Sequence, residues 1–182
     1  MKSQDILILL KLVSLQQQVK DRTILREQCS ARALASTLGV SKTEVNASIN
    51  RSIESGLAVK DRKFAYPKAN MNALLEFISH GVKYVFPVKP AELVRGLPTA
   101  FDAPVFNDEL KSVSKIKRVW PDPMSKEQGQ AIKPLFKSAP QAAAQDPQLY
   151  AYLALLDAIR IGNPREATLA KQRLKERLST DA

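Results

Sequence analysis

The sequence predicts a mainly α-helical chain carrying one small β-wing. Three observations predict it. Apolar residues recur at helical spacing over much of residues 4–80 and 147–178, a short alternating stretch flanks a charged tip near residue 60, and 45% of the 182 residues are apolar, enough to bury a core. Composition divides the chain into residues 1–86, a proline-rich connecting segment over residues 87–145 with little regular structure, and a helical hairpin over residues 146–182.

The first helix, within residues 4–18, places Ile6, Leu9, Leu10 and Val13 on one stripe, and Leu7, Leu12 and Leu15 widen it beyond a single face. Such a helix is buried on more than one side, in its own core or partly against a second subunit. A polar link over residues 20–28 leads to Ser30, an N-cap for a short helix whose apolar positions Ala31, Leu34, Ala35 and Leu38 fall at i, i+3, i+4 and i+7. Gly39 ends that helix, and Ser41 and Glu44 form an S-x-x-E capping box for the next one, with Val45, Ile49 and Ile53 as its inward stripe and Gly56 as its stop. Alternating residues on either side of Lys60, Asp61, Arg62 and Lys63 then form a two-stranded hairpin.

Asn70 caps a helix bearing Met71, Leu74, Leu75 and Ile78, closed by Gly81, and residues 82–87 read as a short strand. Nine of the 11 prolines fall between Pro87 and Pro147, which favours loop and extended backbone. A stretch of that length wraps or binds something. Asp146-Pro147 opens a helix with Leu149, Leu153 and Leu156 inward, and Asn163-Pro164 opens a last one with Ala167, Ala170, Leu174 and Leu178. The outer face of this hairpin is basic, carrying Arg165, Lys171, Arg173, Lys175 and Arg177.

The chain has 28 Lys and Arg against 18 Asp and Glu, a net charge of +10 with a pI near 9.8. Residues 1–90 hold 14 basic and 7 acidic side chains, net +7, and residues 91–182 hold 14 and 11, net +3. A polyanionic partner is the expectation, and the N-terminal half is its electrostatic candidate. Cys29 is the single cysteine, so an intramolecular disulfide, a Cys-rich zinc site and a CxxC motif are all excluded. As a thiolate beside Arg26 or Arg32, Cys29 would be a redox sensor; as a buried thiol it would be idle. The one histidine, His80, stands at a helix end, where it caps carbonyls more readily than it holds a metal. Phosphate-loop, dinucleotide and nucleophile-elbow motifs are absent, so neither an enzyme nor a cofactor is expected. The apolar run from Ile6 is broken at Lys11, far short of a membrane span, which leads to the expectation of a cytoplasmic protein with no membrane partner.

Two short helices joined by a glycine turn, with a basic hairpin behind them, form the pattern of a winged helix-turn-helix. The run from Ala33 through Leu34, Ala35, Leu38, Gly39 and Ser41, followed by Val45, Ile49, Gly56 and Leu57, resembles the helix-turn-helix of MarR-like winged-helix regulators. The resemblance covers about residues 5–67 and implies a winged helix with a regulatory role. Ala47 and Asn50 stand where many such regulators carry basic residues.

A 100° step along the second helix turns Thr43, Ala47, Asn50 and Arg51 outward, flanked by Lys42 and Asn46. Amide, guanidinium, hydroxyl and methyl groups are those that read base edges in a major groove. Lys60, Arg62 and Lys63 reach phosphate from the wing, supported by Ser30, Arg32 and Ser41. The expected function is sequence-specific binding of double-stranded DNA by a transcriptional repressor acting as a homodimer. The alternative is an antitoxin-like or adaptor protein that binds a partner protein through residues 87–182 and autoregulates through the winged helix. Trp120, with Tyr84 and Phe86 near Arg95, is either loop packing or part of such a partner surface.

Overall fold

The computed structural model describes residues 1–61, 66–106 and 116–179. The chain opens with α1 (Ser3–Gln18), α2 (Arg22–Gln28), α3 (Ala31–Leu38) and α4 (Lys42–Glu54), followed by the hairpin β1 (Ala58–Lys60) and β2 (Pro67–Ala69). Helices α5 (Met71–His80) and α6 (Val82–Val85) come next, then β3 (Leu93–Pro98), two single-turn 3-10 segments, β4 (Arg118–Pro121) and β5 (Gln128–Ala131). Helices α7 (Ala139–Gln145), α8 (Pro147–Ile161) and α9 (Pro164–Ser179) complete it, the last two as a helical hairpin. The fold is mainly helical, as the sequence predicts.

Because α1 is apolar on nearly every side, it must be surrounded. Ile6 through Leu10, Leu12 and Val13 are all at most 1% exposed, covered by α4, β2 and α8 of the same chain. The additional apolar face is thus filled from within rather than by a second subunit. One apolar cluster runs from α1 through Leu34, Val45, Leu74, Trp120 and Leu156 to Leu174, so all three compositional segments contribute to it.

Two buried carboxylates pin α1. At its start, Asp5 faces α4. Near its end, Asp146, the N-cap of α8, accepts from Lys11 Nζ and Ser14 Oγ at 2.7 Å each, and from the Gln148 and Leu149 amides. Burial pushes the Asp146 carboxyl up, but the Lys11 ammonium, the Leu149 amide and the Ser14 hydroxyl hold it below the ordinary range.

Four sequence expectations are corrected. The polar link over residues 20–28 contains α2, because the Asp21 carboxylate accepts from the Thr23 and Ile24 amides and starts a helix. Residues 82–87 hold the one-turn helix α6 (Val82–Val85) and no strand: Gly81 adopts a right-handed conformation (φ −108°, ψ −37°), so the chain passes through it without breaking. The proline-rich segment holds three short strands and α7. Each strand pairs with the other two, β3 antiparallel to β4 and β5, and β4 parallel to β5. That closed circuit depends on glycine, since a Cβ at Gly96 would lie 2.1 Å from the Trp120 carbonyl oxygen and one at Gly129 would lie 2.4 Å from that of Lys117. Finally, the inward stripe of α4 is Val45, Ser48 and Ser52; Ile49 is half-buried and Ile53 is 37% exposed.

Trp120 packs inside rather than on a partner surface. Its Nε1–H donates to Asp157 at 2.6 Å, and the same buried carboxylate accepts from Thr99 and pairs with Arg160 at 2.7 Å. Arg160 also donates to the Phe86 carbonyl, so this network joins α8 to β4 and to the residues just after β3 and α6. His80 is exposed and pairs with Glu76 at 3.6 Å. The last helix starts with a reciprocal box in which Asn163 and Glu166 side chains each accept the other's backbone N–H at 3.0 Å.

Candidate nucleic-acid interface

Local sequence sets the ends of α3 and α4. The Ser30 hydroxyl accepts from the Ala33 amide, Gly39 ends α3 in the left-handed region (φ 62°), and the Ser41 hydroxyl accepts from the Glu44 amide. Ser30 and Ser41 are therefore capping residues as well as exposed ones. The Ser138 hydroxyl, just ahead of α7, donates to the Leu38 carbonyl and braces the turn from behind.

Two contacts from α1 then fix the rotation of α4. Arg51 donates from Nε at 3.0 Å and from Nη2 at 2.7 Å to the two oxygens of Asp5, whose side chain is fully buried. The Gln4 amide donates to the Glu44 carboxylate, which leaves the Ser41–Glu44 box half made. Burial pushes the Asp5 carboxyl up, but Arg51 and the Lys2 amide outweigh it and hold it below the ordinary carboxylate range; Asp5 in turn raises the Arg51 guanidinium. This corrects the expectation for Arg51. Its guanidinium is turned inward as a clip between α1 and α4, because the small Ser48 and Ser52 let α4 roll toward α1 and bring residue 51 over Asp5.

The opposite side of α4 is left open. Lys42, Thr43, Asn46 and Asn50 are exposed, and Ala47 is half-buried among them. Arg32 is exposed on α3, and Lys60 is exposed at the end of β1, opposite Pro67. Arg62 and Lys63 lie outside the described residues. A cleft of ≈ 320 Å³ joins α4 to the hairpin; its walls include Arg26, Asn46, Asn50, Ile53, Lys60 and Tyr66. The structure thus brings Asn46, Asn50, Lys60 and Ser30 together, and it adds Arg26, Ile49 and Ile53, which the sequence did not single out for this site. The sequence hides Arg26 because the stretch that forms α2 has the composition of a polar link. For the isoleucines, helical periodicity pointed the wrong way.

Cys29 lines this cleft yet is fully buried, and burial pushes its thiol up to about 12. This favours the buried, idle thiol over a thiolate activated by Arg26 or Arg32. A larger cleft of ≈ 710 Å³ lies elsewhere, between Gln17, Pro104, Tyr150, Tyr152 and Arg177. Its polar groups are turned on one another: Gln17 accepts from Gln148 and Tyr152 and donates to the Arg177 carbonyl. Among the described residues no three His, Cys, Asp or Glu side chains converge as a metal site, and no helix is long and apolar enough to cross a membrane.

Compared with protein-family models, with curated proteins and with solved structures, the chain matches none.

Proposed function

We propose that this chain is a winged helix-turn-helix protein that binds duplex DNA and regulates transcription, most simply as a repressor. In this reading α4 enters the major groove, and the β1–β2 hairpin is the wing that follows the adjoining backbone. The observation that carries it is the open face of α4: Thr43, Asn46 and Asn50 are held outward by the Asp5–Arg51 clip, with the hairpin's Lys60 and the cation Arg26 on the rim of the same cleft. The net charge of +10 supports a phosphate-bearing partner.

One α4 touches too few base pairs to pick a site from a genome, so two copies on half-sites about one helical turn apart complete the proposal. The adaptor alternative asks residues 87–182 to clasp a partner, yet α8 is buried along most of its length, and it packs on α1 while α7 packs on α3 of the same chain.

Fluorescence anisotropy of a labelled 30-bp duplex, titrated with the full chain at several salt concentrations, tests the proposal. If Arg26, Arg32, Lys42 and Lys60 each meet a phosphate, log K falls against log salt with a slope of about −3.6 per copy. Binding that is absent at low salt, or insensitive to salt, refutes it.

A further inference from the structure

The surface of α4 also bears on which duplex is taken, an inference that rests on the DNA-binding reading above. Guanine presents two acceptors to the major groove, N7 and O6, and these are matched by the paired donors of Arg or by Lys. The α4 sequence contains two cations, Lys42 and Arg51. Arg51 has two of its five N–H donors, Nε and one on Nη2, engaged by Asp5, which holds the guanidinium against α1, and Lys42 is the first residue of the helix, a full turn before Asn46. The groups that remain outward beyond that first turn are two carboxamides, the apolar surfaces of Ala47 and Ile53, and at the last residue of the helix the Glu54 carboxylate, which has no donor to offer guanine.

A carboxamide offers one acceptor and one donor side by side, which is the complement of adenine N6–H and N7. Apolar groups beside it suit the thymine C5-methyl, the other distinguishing mark of an A·T pair in this groove. Asn46 and Asn50 are four residues apart, which is about 6 Å along the helix axis. Base pairs stack about 3.4 Å apart. The two amides therefore address base pairs roughly two steps apart, with Ala47 between them in the chain and Ile53 on the next turn, beside the hairpin.

We propose that α4 selects A·T pairs, Asn46 and Asn50 reading adenine while Ala47 and Ile53 contact thymine methyl groups. Arg26 and Lys60, on the rim of the cleft, supply phosphate contacts without base preference.

The test is a selection by the full chain from a random 20-bp duplex library at low salt, followed by anisotropy on the selected duplex and its modified forms. Selected sites are expected to carry A·T pairs at the positions shared among them. Replacing those adenines with 7-deaza-adenine removes N7 alone and is expected to weaken binding about tenfold per read position. Replacing the thymines with deoxyuridine removes only the methyl, at about fourfold per contacted group. Asn50→Ala, at an exposed position, is expected to lower discrimination between the selected duplex and its G·C-substituted form by about 10- to 100-fold while leaving the melting temperature unchanged.

Selected G·C sites that weaken with 7-deaza-guanine overturn this inference and leave duplex binding standing. Salt-dependent binding with no base preference does the same. Failure to retain any duplex at low salt overturns both this inference and the reading on which it rests.

Discussion

Arg51→Ala separates a clip from a DNA contact. In the folded chain Arg51 makes two hydrogen bonds to a carboxylate with no solvent exposure, and truncating it leaves Asp5 with the Lys2 amide, at 2.7 Å, and the neighbouring Ser48 hydroxyl to stabilise its charge. Breaking a buried pair from one side costs about 3–5 kcal/mol. The Arg51 side chain is 27% exposed, so water can replace part of what is lost, and about 2–3 kcal/mol is the expected destabilisation. For a chain of 182 residues this corresponds to a melting temperature lower by about 6–10 °C. Urea denaturation followed by circular dichroism measures the loss. The pair Asp5→Asn with Arg51→Met is expected to recover at least about 1 kcal/mol of it, since no unpaired buried charge remains. Should Arg51→Ala change stability by less than about 0.5 kcal/mol and yet abolish duplex binding, Arg51 is a DNA contact and the account of α4 is wrong.

Three other outcomes are expected. Asp146→Asn removes the charge that Lys11 and the α8 amides stabilise, at a cost of about 2 kcal/mol at pH 7; because the folded Asp146 carboxyl lies below its unfolded value near 3.9, its contribution is complete above that pH and lost as pH falls through the folded value, so urea midpoints of variant and wild type converge on going from about pH 5 to pH 2. Gly96→Ala drives a methyl against the Trp120 carbonyl and is expected to cost about 2–4 kcal/mol, with altered emission from Trp120, the single tryptophan, as a second readout. Cys29 is expected to react with a thiol reagent at the rate at which the protein opens, and denaturant that speeds opening accelerates labelling in step; rapid labelling of the native chain contradicts its burial.

Local signals were legible where a few neighbouring residues decide the outcome. Ser30, Gly39, Ser41, Asn70 and Asp146 each cap a helix end, and each is visible as a cap in the sequence because the bond it makes spans only a few residues. The strands β3, β4 and β5 were not legible, since two or three residue pairs between any two strands leave no periodicity and the pairing partners lie up to about 40 positions apart. The rotation of α4 was hidden for a related reason. Val45, Ile49 and Ile53 look like a core stripe, and contacts from 40 and 46 residues away, Gln4 with Glu44 and Asp5 with Arg51, turn the helix toward its serines instead. The candidate site inherited that error at Arg51 and not at Asn46 or Asn50, which lie far enough around the helix to stay outward in either rotation.

Chemical-shift mapping of the 20.2-kDa chain during titration with a selected duplex tests the central claim most directly, because it reports where the DNA sits as well as whether it binds. The account predicts saturating shifts at the backbone amides of Thr43, Asn46, Ala47 and Asn50, at the Asn46 and Asn50 side-chain amides, and at Lys60, with α8 and α9 unaffected. Shifts confined to α8 and α9, or none anywhere at low salt, would contradict it.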